Sequence, residues 1–401
     1  MSKLAIFGGD PVKHKPYPGW PVVSKRDEAA IERAFLSGKL CRGEAASALE
    51  RRLEERTGTR HAVLVSSGTL ALELILRGLG IGYGDEVILP PYTFVATLSA
   101  ILFVGATPVF ADIDTETYNI CPASAESKVT QKTRAIIAVA VGGCPPSIDR
   151  LSELASRKGI HLIIDAAQAI GAKWRGVDIG AYGTAAAFSC QNTKNLTSGE
   201  GGIITTNDDA LYENIRAMLE GRHEKYFIES CMTELQAAVL TSQLEKLDGE
   251  IVTRERMAAY LDARLHGLPF VRPLMREKEV TVNAYHLYIM RFDSDALTDK
   301  GLSRDIVLRA VAAEGVPLSA GYLPLYSFPF IKTEAVRRMI GGDIDDSPLK
   351  NAEKAGYYEG SWLFQSVLLA DYEDMDDIAR ALIKVWENAG ELAARSRKEE
   401  R

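Results

Sequence analysis

The sequence predicts an α/β protein in which a large domain with a mostly parallel central sheet precedes a smaller C-terminal α+β domain. Between residues 61 and 206, short apolar runs alternate with segments whose apolar residues recur at helical spacing. Strands that are apolar throughout are typical of a sheet covered on both faces. A long helical stretch begins at Glu234, and 401 residues are enough for two domains. We therefore predict a large domain at residues 1–248 and a small domain at 249–401.

The elements follow in order along the chain. Strands are predicted at residues 61–65, 86–90, 107–113, 135–141, 161–167 and 201–206, and helices between them at 69–79, 94–104 and 148–159. One long helix, or two in series, is predicted over 234–268. The small domain is predicted to contain a strand at 284–292, helices at 303–315 and 375–393, and a frayed tail from residue 394. In sheets of this kind, ligands bind beyond the carboxyl ends of the strands.

Composition excludes several classes of protein. The net charge of −7 argues against the basic face of a nucleic-acid-binding protein. Five scattered cysteines without CxxC spacing predict neither a disulfide framework nor a zinc site, and they favour a reducing cytoplasm. No apolar run reaches 18 residues and the N-terminus lacks a signal-peptide pattern, so we expect no membrane partner.

The stretch SSGTLAL (residues 66–72) follows a predicted strand and opens a helix. Small residues such as Gly68 and Thr69 leave backbone N–H groups accessible, and a helix N-terminus favours an anion. A phosphate fits such a turn. The same pattern also suits an ordinary strand-to-helix turn capped by serine or threonine.

Two strand ends carry further candidates. Asp165 ends the run HLIID, where a buried carboxylate needs a partner such as a protonated ring nitrogen or a metal, unless it only caps the next helix. Gln168, three residues on, is placed to donate to a ring oxygen. Phe94 opens the helix after EVILP, where an aromatic ring either stacks on a planar cofactor or joins the core.

Lys194 is the single lysine in FSCQNTKNLTSGEGG (residues 188–202). If its loop closes over a cleft, the amine is partly desolvated and binds its proton less tightly, as in lysines that form Schiff bases. Considered alone, Lys194 could equally be an ordinary surface lysine. With the phosphate-ready turn, Phe94, Asp165, Gln168 and Ser189, it completes the set of groups that pyridoxal phosphate requires. We therefore predict that cofactor and no metal.

The chain resembles the sugar aminotransferases of the DegT/DnrJ/StrS family, a fold-type I group of pyridoxal-phosphate enzymes. The motifs SSGTLAL, GDEVILPPYTFVAT, GATPVFADID, IIDAAQAIGA, FSCQNTKNLTSGEGG and MTELQAAVL occur in the family's order and span most of residues 8–240. GGDPV near the start, GYLPLYSFPF at 321–330 and SWLFQSVLLADYEDMDDI near the end are most similar to scyllo-inosose aminotransferases and 3-amino-5-hydroxybenzoate synthases.

The resemblance implies a role for each candidate. Lys194 would hold the cofactor covalently and transfer the proton, and Asp165 would pair with the ring nitrogen. Gln168 would contact the ring hydroxyl, and Phe94 would stack on the ring. The phosphate would be held by Gly68, Thr69 and Ser189. Family members are typically homodimers whose active sites lie at the subunit interface.

One segment departs from the family pattern. The family's Gly-x-Asn-x-Arg-Met-x-Glu reads FIESCMTE here (residues 227–234), so Glu229 and Cys231 replace an asparagine that reaches the neighbour's phosphate and an arginine that helps to receive the donor carboxylate. Arg222, His223 or Lys225 could compensate. The departure leaves open a fold-type I enzyme of other chemistry (elimination, dehydration or oxidation) and a non-catalytic accessory or sensor protein.

The sequence as a whole favours an aminotransferase. We expect it to move an amino group from glutamine or glutamate to a keto-cyclitol or keto-sugar in natural-product biosynthesis. Tyr322 and Tyr326 are expected near the acceptor.

Overall fold

The structure, a computed structural model, describes residues 2–399. Its main sheet has seven strands in the order β1-β9-β8-β5-β4-β2-β3. Strand β9 is antiparallel to both neighbours and the other pairs are parallel, which confirms the mostly parallel sheet. The strands up to this point are β1 (His61–Val65), β2 (Glu86–Leu89), β3 (Thr107–Phe110), β4 (Thr133–Val139), β5 (His161–Asp165), β6 (Lys173–Trp174), β7 (Val177–Asp178), β8 (Ala185–Ser189) and β9 (Gly202–Thr206).

Helices cover both faces of this sheet. The helices of this part are α1 (Lys25–Leu36), α2 (Glu44–Thr57), α3 (Gly68–Gly78), α4 (Ala96–Phe103), α5 (Pro122–Ser127), α6 (Ile148–Lys158), α7 (Asp209–Glu220) and α8 (Glu234–Leu265). Helix α1 packs against α8 and not on the sheet. Successive residues of β4 enter opposite cores: Ala135 and Ile137 pack on one face, Ile136 and Ala138 on the other. Strands without polar alternation follow directly from burial on both sides.

The C-terminal part is built on an antiparallel sheet of four strands in the order β10-β12-β14-β13. Its strands are β10 (Val271–Pro273), β11 (Val280–Val282), β12 (Leu287–Phe292), β13 (Ser319–Ala320) and β14 (Gly360–Phe364), of which β11 pairs with β6 instead. The helices are α9 (Ser294–Asp299), α10 (Arg304–Ala313), α11 (Glu334–Ile340), α12 (Lys350–Glu353), α13 (Tyr372–Glu387) and α14 (Ala389–Glu399).

Short 3₁₀ turns and one π-helical turn complete the part of the chain that the structure describes. The 3₁₀ turns lie at Ala5–Phe7, Val141–Gly143, Ile179–Ala181, Leu325–Ser327, Pro329–Lys332 and Val367–Leu369, and the π-helical turn at Lys354–Glu359.

Helix α8 joins the two parts as one continuous helix. Ala237 near its start belongs to a core of the main sheet, and Leu261 near its end belongs to the core of the C-terminal sheet. The division at residue 248 falls within this helix and stays a prediction. Leu325 and Ile340 lie beyond that division yet pack in a core of the main sheet.

The structure contains elements that the sequence did not predict, among them α1, α2, α7 and β14, and it differs from the predicted elements in further places. Strand β8 was not predicted, because AAAFS contains no β-branched residue. Strand β12 is shorter than predicted and begins at Leu287. The tail expected to fray from residue 394 is helical to Glu399; residues 400 and 401 lie outside the described part. Within residues 2–399, no helix is both long and apolar enough to cross a membrane.

Candidate active site

One edge of the main sheet gathers the predicted site residues. Strands β1 and β8 are both antiparallel to β9, and β5 runs parallel to β8, so the carboxyl ends of all three strands lie at the same edge. A cavity of about 540 Å³ opens there. Its lining includes eight of the predicted residues, namely Gly68, Thr69, Phe94, Asp165, Gln168, Ser189, Lys194 and Tyr322.

The turn between β1 and α3 presents a helix N-terminus to the cavity. Ser67 caps the helix by accepting a hydrogen bond from the Leu70 N–H (3.2 Å), and the first turn of α3 contains no acidic residue. A Cβ atom at Gly68 would lie 2.8 Å from the Cβ of Ser189, so only glycine allows the two segments this close. Backbone N–H groups and two hydroxyls, those of Thr69 and Ser189, thus border one corner of the cavity, where an anion is favoured.

Asp165 lies on the cavity wall with only 4% of its surface exposed. Its carboxylate accepts a hydrogen bond from the Thr97 hydroxyl (2.7 Å) and one from the Ala167 N–H (3.2 Å). Burial raises the pKa of the carboxyl, while Thr97, Ala167 and then the Lys194 ammonium oppose the rise. A buried acid held in this way is suited to pair with a cationic group of a ligand.

Lys194 lies in the loop between β8 and β9, on the same cavity. Burial lowers the pKa of its amine to about 8, with the Asp165 carboxylate acting in the opposite direction. Three side-chain donors hold the loop to surrounding segments. These hydrogen bonds run from Trp20 Nε1 to the Asn192 carbonyl (3.0 Å), from Gln365 Nε2 to the Thr193 carbonyl (2.6 Å) and from Asn195 Nδ2 to the Ala284 carbonyl (2.7 Å).

The amide of Gln168 has its orientation set by its partners. Its Oε1 accepts from the Gly142 N–H (2.8 Å), which turns its Nε2 towards the Tyr322 hydroxyl at 3.2 Å. The Tyr322 ring packs against Trp362 with ring centroids 4.5 Å apart. Burial raises the pKa of Tyr322 to about 12, so this phenol stays protonated at neutral pH. Gln168 and Tyr322 therefore offer oriented hydrogen-bond groups at the cavity wall.

Phe94 precedes α4 and lines the same cavity, but 56% of its surface is exposed. Such a ring can cover a planar ligand on one side. Its exposure also leaves room for another chain to pack over it.

Three predicted residues lie elsewhere. Tyr326 was expected near the acceptor, but it is buried in a core of the main sheet and does not line the cavity. Its hydroxyl donates a hydrogen bond to Glu353 (2.9 Å). Glu229 is exposed in the loop between α7 and α8. Cys231, in the same loop, contacts Cys41 and is also absent from the cavity wall of this chain.

The cavity also contains residues that were not predicted, among them His286, Thr97 and Trp362. His286 is buried and its Nδ1 has no hydrogen-bond partner among the described residues. Burial and the positive charges of Lys194 and Arg254 lower the pKa of this imidazole well below its ordinary value. The sequence offered one weak indication of this role. The strand predicted at residues 284–292, AYHLYIMRF, lacks a regular alternation of apolar and polar residues and contains one histidine.

The arrangement matches a planar cationic ring that carries an anion. The anion turn at Gly68, the acid at Asp165, the amide at Gln168 and the amine at Lys194 border one space and have different chemistry. Asp165 forms no ion pair with the described residues, so a protonated ring nitrogen would supply the partner that its burial requires. The residues present therefore fit pyridoxal phosphate.

Several known proteins are similar to this chain over almost its whole length. Residues 21–340 match the DegT/DnrJ/EryC1/StrS aminotransferase family. The chain is 34% identical to a Micromonospora echinospora protein described as a putative L-glutamine:3-amino-2,3-dideoxy-scyllo-inosose aminotransferase, with 98% of this chain and 99% of that protein aligned. It is 35% identical to the L-glutamine:2-deoxy-scyllo-inosose aminotransferase of Streptomyces lividus, with 98% and 100% aligned. The crystal structure of 3-amino-5-hydroxybenzoic acid synthase superposes with a TM-score of 0.80 at 27% identity, covering 96% of this chain and 100% of that one.

Proposed function

The chain belongs to the DegT/DnrJ/EryC1/StrS aminotransferase family and is a pyridoxal-phosphate-dependent aminotransferase, and from this premise we propose that it moves an amino group from L-glutamine to a keto-cyclitol in antibiotic biosynthesis. The observation that carries the proposal is that Lys194 and Asp165 border one cavity together with the anion turn. Glutamine and an inosose are the substrates that the names of its relatives state. The resemblance that the sequence motifs indicate is thereby confirmed.

We propose the following assignment of residues to the cofactor. Gly68, Thr69 and Ser189 hold its phosphate, Asp165 pairs with its ring nitrogen, and Gln168 contacts its ring hydroxyl. Phe94 covers one side of its ring. Pyridoxal phosphate supplies an aldehyde that reacts with the amino group of a substrate, and a ring that accepts electrons from it.

Lys194 is suited both to attach the cofactor and to move a proton. With a pKa of about 8, about a tenth of its amine is unprotonated at pH 7, compared with less than ~0.1% of an ordinary lysine. The neutral Nζ can act as a nucleophile, and it can take a proton and return it at a neighbouring position. The hydrogen bonds that hold residues 192–195 keep this amine facing the cavity.

The acceptor would lie against the C-terminal part of the cavity wall. Tyr322 and Trp362 form an aromatic surface that suits the C–H face of a cyclitol ring. His286, neutral because of its lowered pKa, can accept a hydrogen bond from a ring hydroxyl. A polyhydroxylated ketone is therefore a better match than an apolar one.

The donor carboxylate requires a cation that one chain does not supply. Among the described residues that line the cavity, Lys194 is the one lysine and there is no arginine. We propose a homodimer in which the loop between α7 and α8 of the second subunit provides the cation. Arg222 and Lys225 of that loop are exposed. The exposed rings of Phe94 and Phe364 at the cavity are where a second subunit would bury apolar surface. We also propose a cytoplasmic location, because the five cysteines are scattered along the sequence without the spacing of a disulfide framework.

A single-turnover titration tests the reaction. Purified holoenzyme is mixed with a panel of amino acids, without acceptor, while the visible absorbance of the cofactor and the released keto acid are followed. L-Glutamine should bleach the visible band with one equivalent of keto acid per site, and scyllo-inosose should then restore it. Release of product without lasting bleaching would favour elimination or another reaction. An unchanged spectrum with every amino acid would favour an accessory protein.

Mixing of variants tests the shared site. Lys194→Ala removes the amine in one subunit, and the double variant Arg222→Ala, Lys225→Ala removes the loop cations from the other. Each should be inactive alone, and mixed dimers should regain activity because one of their two sites is intact. Lys3→Ala, which changes an exposed lysine that is not part of the cavity lining, is the matched control for loss of charge. Failure to regain activity in proven mixed dimers would exclude a cation supplied by the partner loop.

A further inference from the structure

Cys41 and Cys231 form a pair of thiols that the proposed reaction does not use. Their Sγ atoms lie 2.8 Å apart, although the residues are 190 positions apart in the chain. Cys41 is exposed and Cys231 is partly exposed. The other cysteines differ in this respect: Cys144 and Cys190 are buried, and Cys121 has no thiol neighbour among the described residues.

Backbone contacts hold the two thiols together. Cys41 pairs with Thr233 in an antiparallel bridge, and the Glu234 N–H donates to the Leu40 carbonyl (3.0 Å). On its other side, Cys231 pairs with Val65 at the end of β1. The approach of the thiols is therefore a consequence of main-chain pairing and does not depend on two flexible side chains meeting by chance.

We propose that Cys41 and Cys231 are a modification site at which a low-molecular-weight disulfide oxidises the pair to an internal disulfide. One protein thiolate attacks the small disulfide and expels one small thiolate, which leaves a mixed disulfide. The second protein thiolate attacks the protein sulfur of that bond and expels the second small thiol. Two protein thiols and one small disulfide thus give one protein disulfide and two small thiols, and no other oxidant is required.

The bond would join two segments beside the anion turn. It would connect the loop between α1 and α2 to the loop between α7 and α8, which already contacts β1 through Val65. In the second loop, the Ser230 hydroxyl hydrogen-bonds the hydroxyl of Ser66, the residue directly before the turn at Ser67 and Gly68. Oxidation should therefore restrain the segment that contains Arg222 and Lys225.

The chemical environment makes the exchange dependent on pH. The hydrogen bond to Cys231 and burial raise the pKa of the Cys41 thiol, with Glu234 adding to the rise and Arg42 opposing it. Because the thiolate is the reacting form, the pair should react slowly at neutral pH and more than about ten times faster at pH 8.5. The positions of the sulfur atoms, and not this shift, are the basis of the proposal.

Oxidised glutathione added to the holoenzyme tests the site. After this treatment and unfolding, the number of thiols that an alkylating reagent modifies should fall from five to three. Peptide mapping should recover one cross-linked peptide that contains Cys41 and Cys231. Dithiothreitol should restore five. Trypsin cleavage after Arg222 and Lys225 should be several times slower in the oxidised protein than in the reduced protein.

Three single variants make the test specific. Cys41→Ser and Cys231→Ser should each lose no more than one thiol, as a mixed disulfide, whereas Cys121→Ser should still lose the pair. A wild-type protein that keeps five thiols over a glutathione redox titration would overturn the proposal. So would a cross-link between Cys41 residues of two subunits, or a stable glutathione adduct on Cys41 alone. None of these measurements depends on transferase activity.

Discussion

Replacing Asp165 by asparagine should stabilise the protein without cofactor and weaken its hold on the cofactor. The carboxyl is almost fully buried and its raised pKa is the net result of burial against Thr97, Ala167 and Lys194. The folded protein without cofactor therefore disfavours the ionised form. Asparagine keeps an oxygen for the Ala167 N–H, and the Thr97 hydroxyl can turn to accept from its amide.

Both effects can be estimated. Relief of an unfavourable functional group typically gains about 0.5–2 kcal/mol. With an unfolding entropy of roughly 2.1 cal/mol/K per residue, 401 residues convert this gain to a rise of about 1–2 °C in the melting temperature. Removing one partner of a buried ion pair costs about 3–5 kcal/mol, which corresponds to a loss of roughly two to four orders of magnitude in cofactor affinity.

The sign of the pH dependence follows from the raised pKa of Asp165. A group whose pKa is higher in the folded protein than in the unfolded protein adds stability at acid pH, and this stability is lost as the pH rises through the folded value. The wild-type protein without cofactor should lose stability over that interval, and the asparagine variant should not. The difference between them should thus be absent at acid pH and grow towards neutral pH.

Thermal unfolding with and without saturating pyridoxal phosphate, from pH 4 to pH 8, measures this prediction. The variant should melt above the wild type without cofactor and below it with cofactor. Asp178→Asn is a matched control, since Asp178 is also a buried aspartate with a raised pKa but is not part of the cavity lining. A variant that is less stable in both states, or that binds the cofactor as tightly as the wild type, would refute the reasoning.

Three further predictions concern the same cavity. Thr97→Val removes the hydroxyl that donates to the buried acid and should weaken cofactor binding by about 1.5–3 kcal/mol, whereas Thr97→Ser should not; titration of the cofactor-free protein measures both. The rate at which cofactor attaches to Lys194 should rise with a midpoint near pH 8, because its pKa is about 8; stopped-flow absorbance from pH 6.5 to 9.5 checks this, and a flat profile would contradict it. Gly68→Ala places a Cβ atom 2.8 Å from that of Ser189 and should cost about 1–3 kcal/mol of stability. Gly249→Ala, with no atom within 4 Å of its Cβ position, should be neutral or stabilising by up to about 1 kcal/mol. Chemical denaturation compares the two variants.

The site residues in and beside the main sheet could be predicted from the sequence, because each lies in a short segment whose pattern is recognisable by itself. Asp165, Lys194 and Gly68 lie at strand ends or directly beyond them, and a parallel sheet places such ends at one edge. The direction of β9 was not predictable, because an apolar run such as GIITT indicates burial but not orientation. Its antiparallel course nevertheless matters, since it leaves the loop that contains Lys194 at the same edge as the strand ends.

The C-terminal contributions to the cavity were harder to predict. His286 and Trp362 reach the cavity only because the second sheet lies against the first, and the packing of two sheets depends on contacts far apart in sequence. Tyr322 and Tyr326 look equivalent in GYLPLYSF, yet the first lines the cavity and the second bonds Glu353 in the core. Aromatic residues four positions apart in a non-helical segment have no periodicity that would separate these outcomes.

The two ionisable groups of the cavity depend on each other through burial. Burial alone would favour a neutral acid at Asp165 and a neutral amine at Lys194, and each charge lessens the other's shift. A cationic ring next to Asp165 would strengthen its ionised form, and attachment of Lys194 would remove the ammonium that had partly balanced it. Binding the cofactor therefore replaces one imperfect pairing by a closer one. For that reason the protein is expected to gain stability on binding, although the same two residues lower its stability when the cofactor is absent.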